Sequence, residues 1–227
     1  MDCREEARAQ LPYLASDAFT HQRADDWYVF TYVRRPAYYT AVNVGERGTG
    51  QQRMGLGLVW HPEAGAVIQS QSGRGLEAWG TRAVDADGVY EAGDIRAEVT
   101  RFELGGEVIE PEEGVRDLPN GEADFQISYP LGDEETPNRK TLSFTDAEFT
   151  VEVSHRGAFQ EQIPLLVRQG GEIAMDDQIV RLERGGVTML IEFDGAGEID
   201  VVDGDGVEVL VATGTGKLSY TIRWESE

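Results

Sequence analysis

The fold is decided by WYVFTYV at residues 27–33, RRP at 34–36 and AYYTAVNV at 37–44. Both longer runs are rich in aromatic and β-branched residues, which favour strands. Large side chains occupy both alternating faces of the first run, as is typical of a strand that is covered on both sides. The arginines and Pro36 end that run. The stretch therefore predicts a hairpin: a strand over Trp27–Val33, a turn, and a partner strand over Ala37–Val44.

Runs of the same type continue along the rest of the chain. Gly-Gly at 105–106 and again at 185–186 predicts two further hairpins. Other strands are predicted over Met54–Trp60, Ala66–Gln71 and, as the last of the chain, Leu218–Trp224. Strands with turns at short intervals and no helix between them predict an all-β fold, a large antiparallel β-sandwich or super-sandwich.

A helical pattern is present only near the N-terminus. Ala7, Leu11 and Leu14 repeat at helical spacing between residues 4 and 15, and Pro12 interrupts them. This predicts a short N-terminal helix. The domain organisation that follows is a helical segment or linker over 1–24 and an antiparallel β-sandwich over 25–227, within which a smaller β lobe over 171–227 is an alternative.

The charge balance excludes two classes of partner. There are 42 acidic and 20 basic residues, a formal net charge of −22, and only Lys140 and Lys217 are lysines. Such a chain repels phosphate backbones and anionic lipid surfaces, so neither nucleic acid nor a membrane is expected as a partner. A high-salt host and a GC-rich genome both explain the excess of arginine over lysine, and both stay open.

Cysteine use and the first residues bear on compartment. Cys3 is the only cysteine, so an intramolecular disulfide and a thiolate metal cluster are excluded. The charged start, MDCREE, does not resemble a signal peptide, and no apolar run approaches the ~20 residues needed to cross a bilayer. We expect a soluble protein.

Histidines are the first candidates for catalysis or metal binding. The chain has His21, His61 and His155, none spaced with another as a metal motif, so no metal and no cofactor are predicted. His61 is the candidate catalytic residue, because it lies at a predicted strand end beside Trp60 and Pro62, where loops carry function. For each histidine the alternative is a purely structural role.

Phenols and guanidinium groups cluster around the first hairpin, where they could bind an anionic sugar. Aromatic rings stack on sugar faces, and arginine pairs with carboxylates through two hydrogen bonds. The candidate ligand-binding residues here are Arg34, Arg35, Tyr38 and Tyr39, with Tyr28 and Tyr32 nearby. The alternative is that alternation sends about half of these side chains into the core. Gln69, Gln71 and Arg74 form a second polar group that could bind hydroxyls, or else a solvated strand end.

Three segments carry a family resemblance. They are YYTA at 38–41, RMGLGLVWHP at 53–62 and GAVIQSQ at 65–71. In these segments the chain resembles the C-terminal β-sandwich domains that follow an α/α-toroid in heparinase II/III-like polysaccharide lyases. The resemblance implies a super-sandwich that supports a helical toroid, in enzymes that cleave uronate-containing polysaccharides by β-elimination. On the same grounds, the helical pattern of residues 4–14 is expected to be the last helix of such a toroid.

The resemblance also implies how the chemistry is divided. β-Elimination needs a tyrosine or histidine base and a group that neutralises the uronate carboxylate, and in these families the toroid contributes much of this apparatus. This chain lacks a toroid and the His-x-His-Ala-Asp type of segment that some members carry on the β-domain. The expected function is therefore a non-catalytic domain, a scaffold or one wall of an anionic-glycan cleft, and extracellular if it belongs to a larger lyase. The alternatives are a self-sufficient lyase with His61 or a tyrosine as base, and a partner-binding sandwich with no sugar function.

Overall fold

The computed structural model describes residues 18–25, 28–45, 55–70, 75–96, 101–110, 114–118, 124–131, 138–167, 170–204 and 207–226. Within these ranges the chain is almost entirely antiparallel β-structure, as predicted, with one short 3₁₀ helix at Gly93–Arg96. The predicted N-terminal helix lies outside the described residues. The strands are β1 Phe19–Asp25, β2 Tyr28–Arg34, β3 Tyr39–Gly45, β4 Gly55–His61, β5 Gly65–Gln69, β6 Gly80–Asp85, β7 Gly88–Ala92, β8 Arg101–Leu104, β9 Glu107–Ile109, β10 Gly114–Leu118, β11 Phe125–Pro130, β12 Arg139–Phe144, β13 Glu148–Leu165, β14 Glu172–Asp176, β15 Ile179–Arg184, β16 Val187–Asp194, β17 Ile199–Gly204 and β18 Val207–Ser226.

The predicted hairpins form where the turn chemistry placed them. β2 and β3 pair from Tyr28 opposite Gly45 to Arg34 opposite Tyr39. At Gly105-Gly106 and Gly185-Gly186 all four residues have positive φ, as a two-residue hairpin turn requires. These turns join β8 to β9 and β15 to β16.

Two long strands connect the parts of the sheet. β13 has 18 residues and β18 has 20, and they pair with each other along most of their length. β13 also pairs with β5, β6 and β12, and β18 also pairs with β16 and β17. The last strand is thus longer than the predicted Leu218–Trp224. The first strand, β1, lies largely within the segment predicted as helix or linker, and the domain boundaries stay predictions.

One hydrophobic core lies between the strands. It includes Val33 of β2, Val42 of β3, Phe144 of β12 and Ile222 of β18, all of them buried. On β2, Thr31 and Val33 face this core, whereas Tyr28, Phe30, Tyr32 and Arg34 alternate with them and are only partly buried. β2 is therefore fully covered on its core-facing side but only partly covered on the other, whereas the sequence predicts cover on both sides. In the part of the chain that the structure describes, no helix is long and apolar enough to cross a membrane.

Candidate functional site

Aromatic and arginine side chains gather on one surface of β1–β4. Residues opposite each other in neighbouring strands share a face, so the register defines rows across these strands. The first row contains Phe19, Arg34, Tyr39 and Trp60. The second contains His21, Tyr32, Ala41, Leu58 and Gln69. We call these two rows, with Phe30 and Tyr28 beyond them, the outer face.

Strand alternation explains why these residues share a surface. Thr20 and Gln22 of β1, Thr31 of β2 and Thr40 of β3 point the opposite way and are buried. Gln22 donates to the Thr31 hydroxyl at 3.4 Å, so the polar groups of this inner layer are paired. The bulky rings between these positions must then point outward, because successive side chains alternate across a strand.

The rings of the outer face contact one another. Tyr28 and Phe30 meet edge to face with centroids 5.1 Å apart, and Phe30 and Tyr32 are parallel at 6.3 Å. His21 lies 5.9 Å from Tyr32. These contacts cover part of each ring and leave the rest of its surface open, and they give the outer face the character of an aromatic platform.

The first row combines these rings with a positive charge. Phe19 and Tyr39 lie 6.4 Å apart, and Trp60 at the end of the row is 37% exposed. Burial, with Tyr32 as a neighbour, raises the pKa of Tyr39 to about 12, so its phenol remains a neutral donor at physiological pH. Of the four residues in the first row, Arg34 is the one that carries a charge.

Three of the predicted ligand-binding residues lie on the outer face. Arg34 and Tyr39 are neighbours in the first row, and Gln69 ends the second. Gln71 and Arg74 lie outside the described residues. Phe19, Phe30 and Trp60 were not singled out from the sequence, although the period-two alternation that places Arg34 outward places Phe30 with it.

Arg35 and Tyr38 occupy the turn between β2 and β3 and are buried. Arg35 is 2% exposed, and its guanidinium group donates to the carbonyl of Phe19 at 3.1 Å and to the hydroxyl of Thr20 at 3.3 Å. Tyr38 is 1% exposed and donates to the carbonyl of Thr145 at 2.8 Å. Burial lowers the pKa of Arg35 and raises that of Tyr38. These contacts hold the end of the hairpin against the core.

His61 lies on the core side of β4, at the start of the turn to β5. Its Nδ1 atom accepts the backbone N–H groups of Glu63 at 3.2 Å and Ala64 at 3.4 Å, and its ring stacks on Trp224 at 5.8 Å. A neutral imidazole has one unprotonated nitrogen, and here the turn occupies it. The described geometry therefore makes His61 an acceptor that holds the turn.

The role of His61 in the turn predicts a pH effect on stability. Burial lowers the pKa of His61 below its ordinary 6.5, so folding favours the neutral ring. Its contribution is then present above pH 6.5 and is lost as the pH falls through the lowered, folded-state value. We expect the difference in melting temperature between the wild type and His61→Ala to be larger at pH 8 than at pH 5. A constant difference would contradict this assignment.

The three histidines lie apart in the described structure. His61 contacts Trp224, His21 contacts Tyr32, and His155 contacts Phe159 at 5.5 Å. Among the described residues, no group of three or more histidine, cysteine, aspartate or glutamate side chains is placed to hold a metal ion.

The comparisons with known proteins rest on structure. No protein-family model and no curated protein sequence matches the chain. A solved heparinase III, the BT4657 gene product, superposes with a TM-score of 0.61 and 11% sequence identity, over 99% of this chain and 41% of that one. Its form with methylated lysines gives a TM-score of 0.57 and 12% identity, over 99% and 40%. Heparan sulfate lyase HepC from Pedobacter heparinus matches less closely, with a TM-score of 0.47 and 11% identity over 94% of this chain and 36% of that one.

These similarities bear on the fold alone. The chain spans about two fifths of the heparinase III that it matches. Nearly all of this chain takes part in the match, so the similarity extends over the whole antiparallel arrangement of strands. The resemblance to heparinase II/III-like lyases is thereby confirmed at the level of fold: this chain has a β-sandwich fold that the solved heparinase III also contains.

Proposed function

We propose that the chain is a non-catalytic β-sandwich domain of a polysaccharide lyase-like enzyme, and that its outer face forms one wall of a cleft for an anionic glycan. The observation that carries the proposal is the first row, in which Arg34 lies directly between Phe19 and Tyr39, with Trp60 beyond them. The fold similarity to heparinase III supports the enzyme class.

The chemistry of the row fits a charged sugar chain. The guanidinium group of Arg34 can pair with a uronate carboxylate or a sulfate through two parallel hydrogen bonds. Tyr39 and Trp60 offer an apolar ring face together with a hydrogen-bond donor, the combination that an amphipathic sugar ring needs. Neighbouring strands lie about 4.8 Å apart, so the four-strand row extends roughly 14 Å and suits an oligosaccharide better than a single sugar.

The described residues also support the non-catalytic part of the proposal. The unprotonated nitrogen of His61 is engaged by its own turn, and the pKa of Tyr39, at about 12, makes this phenol a poor base near neutral pH. Tyr38 is buried, and its pKa is raised further. A base for β-elimination would then come from another part of the enzyme, and an α/α-toroid is the partner that the family resemblance implies.

Glycan titration tests the proposed binding surface. The chain is titrated calorimetrically with oligosaccharides of heparan sulfate, alginate and pectin, and with a neutral glucan of the same length. We expect binding to at least one anionic series and a loss of about tenfold or more in affinity for Arg34→Ala, since a hydrogen bond to a charged group contributes about 1.5–3 kcal/mol. Tyr39→Ala is expected to weaken binding as well.

The matched control is Arg156→Ala, which removes an exposed arginine from β13. This variant loses the same charge outside the outer face and should bind like the wild type. Equal losses in the two arginine variants, or no binding to any anionic series at millimolar ligand, would contradict the proposed surface. An unsaturated uronate product, detected by its ultraviolet absorbance when the isolated chain is incubated with these glycans, would contradict the non-catalytic assignment alone.

A further inference from the structure

Three charged side chains meet inside the sandwich, remote from solvent. Lys140 of β12 and Glu161 of β13 are 0% exposed, and Asp94 of the 3₁₀ helix is 1% exposed. The Lys140 Nζ atom lies 3.0 Å from Asp94 Oδ1 and 3.0 Å from Glu161 Oε1. The indole ring of Trp79 covers the same nitrogen, 3.7 Å from the ring centroid. An amine and a carboxyl group are thus held in contact where water is excluded.

Each oxygen of the Asp94 carboxyl group accepts a hydrogen bond from a different donor. Its Oδ2 atom accepts the backbone N–H of Thr81 at 2.6 Å, and its Oδ1 atom accepts the hydroxyl of Tyr129 at 2.7 Å. Both donors withdraw electron density from the carboxyl carbon. Fixed donors of this kind stabilise the charge that develops on oxygen when a nucleophile adds to a carbonyl carbon.

Glu161 is held on the other side of the amine by three donors. Its Oε1 atom accepts Lys140 Nζ and the hydroxyl of Tyr220, both at 3.0 Å, and its Oε2 atom accepts the hydroxyl of Thr81 at 2.6 Å. Burial raises the pKa of Glu161, although Lys140 opposes the shift, so this carboxylate can take up a proton more readily than an exposed glutamate.

As ions, the three groups are costly to bury. Two carboxylates and one ammonium group leave one uncompensated negative charge in the core, and even a matched buried pair recovers its desolvation cost only with excellent geometry. Condensing the amine with one carboxyl group would replace an ion pair by a neutral amide and retain Glu161 as an acceptor for its N–H. With the ammonium group gone, the burial that raises the pKa of Glu161 is no longer opposed by Lys140, so this carboxyl group can take up a proton and no charge need remain in the cluster.

We propose that Lys140 and Asp94 become joined by an intramolecular amide bond, with Glu161 as the proton relay. The site is a covalent modification of the chain by itself, with no external substrate. It links the 3₁₀ helix that follows β7 to β12 and therefore closes a covalent loop between distant parts of the sequence.

The step balances without a co-reactant. A bond forms between Lys140 Nζ and Asp94 Cγ, and the bond from Cγ to Oδ1 breaks. Glu161 Oε1 removes a proton from the ammonium group, which frees the lone pair for attack, and delivers it to the departing oxygen. A second proton passes from the nitrogen to Oδ1 as the tetrahedral adduct collapses. Oδ1 has then received two protons and leaves as water. The third proton remains on the amide nitrogen, and Oδ2 becomes the amide oxygen, still bonded to the Thr81 N–H.

The mass of the intact protein tests the proposal. The purified full chain is denatured and weighed by mass spectrometry, and we expect it to be lighter than its sequence by one water molecule. Lys140→Arg should restore the full mass. Lys217→Arg is the matched control, because it replaces the only other lysine, which is exposed, and should keep the loss. A wild-type mass equal to that of the sequence would overturn the proposal.

Peptide mapping separates this bond from other dehydrations. Asp-Gly sequences such as Asp87-Gly88 and Asp203-Gly204 can lose water by forming a cyclic imide without any cross-link. The proposed bond predicts one fragment in which the peptides that contain Asp94 and Lys140 are joined. Loss of water confined to an Asp-Gly peptide would refute it. Glu161→Gln is expected to show the full mass while Lys140 and Asp94 are retained, and if this variant does not fold, the wild-type map decides the question.

Discussion

Lys140→Met is expected to lower the free energy of unfolding by about 3–5 kcal/mol, because it leaves two buried carboxylates without their cation. Methionine resembles lysine in length, so little packing is lost. What is lost is the Nζ nitrogen that contacts both Asp94 and Glu161. An amide bond to Asp94 would add the loss of a covalent link to this figure. Denaturant unfolding, followed by tryptophan fluorescence, measures the change.

Lys217→Met provides the matched control for this loss. Lys217 is largely exposed, and its ion pair with Glu152 is 3.4 Å long. Exposed ion pairs contribute about 0–1 kcal/mol, so we expect little change in this variant. Similar losses in the two methionine variants would show that the buried cluster contributes no more than a surface pair, which would contradict the role assigned to Lys140.

The deficit of Lys140→Met should also depend on pH. In this variant no cation at position 140 can oppose the effect of burial, which raises the pKa of Glu161 above its ordinary 4.5. A carboxyl group whose pKa is raised in the folded state favours folding below the unfolded-state value and loses this advantage as the pH rises through the folded-state value. The deficit relative to wild type should therefore shrink between pH 8 and pH 5. Adding Glu161→Gln should recover part of the loss, since a neutral amide needs no cation.

Local signals in the sequence identified the hairpins but not the longest strand. Each Gly-Gly turn needs only two residues that can adopt positive φ, so the two glycines alone suffice to predict it. By contrast, the last strand is predicted to begin only at Leu218, whereas Gly214 and Gly216 already lie within β18. A Cβ atom on Gly214 would lie 2.5 Å from the ring of Phe159, so glycine serves close packing against β13 there. The sequence around Gly214 does not reveal this contact, because Phe159 lies more than 50 residues away in the chain.

The candidate residues divide for a similar reason. Alternation predicts that about half of the tyrosine and arginine cluster points inward, but the position of the turn decides which half. Arg34 ends β2 and faces outward, whereas Arg35 begins the turn and reaches back to Thr20. One residue of offset thus separates an outer-face group from a buried one.

The buried cluster left a weaker signal. Lys140 alternates with Leu142 and Phe144, which places a lysine on the inward face of a strand. This pattern predicts a buried charge that needs a partner. The identities of Asp94 and Glu161 depend on how three separate elements meet, and only the folded chain shows that.

Gly55→Ala is expected to destabilise the chain by about 3 kcal/mol or more, because it adds overpacking to backbone strain. Gly55 begins β4 with φ of +63°, and a Cβ atom there would overlap the edge of the Trp79 ring. The ring cannot move aside without losing contacts, because its Nε1 donates to the hydroxyl of Tyr220 at 2.9 Å and its face covers Lys140. Moving the ring would therefore disturb the buried cluster as well.

The control for Gly55→Ala isolates the contribution of the clash. Gly106 also has positive φ, +84°, but a Cβ atom at this position meets nothing within 4 Å. Gly106→Ala carries the strain of the left-handed conformation alone, about 1–2 kcal/mol. We expect Gly55→Ala to cost clearly more, measured by the denaturant midpoint, and to change the fluorescence of the folded state because Trp79 is displaced. Equal costs with unchanged fluorescence would mean that the Trp79 ring moves aside without cost, which would contradict its role in covering Lys140.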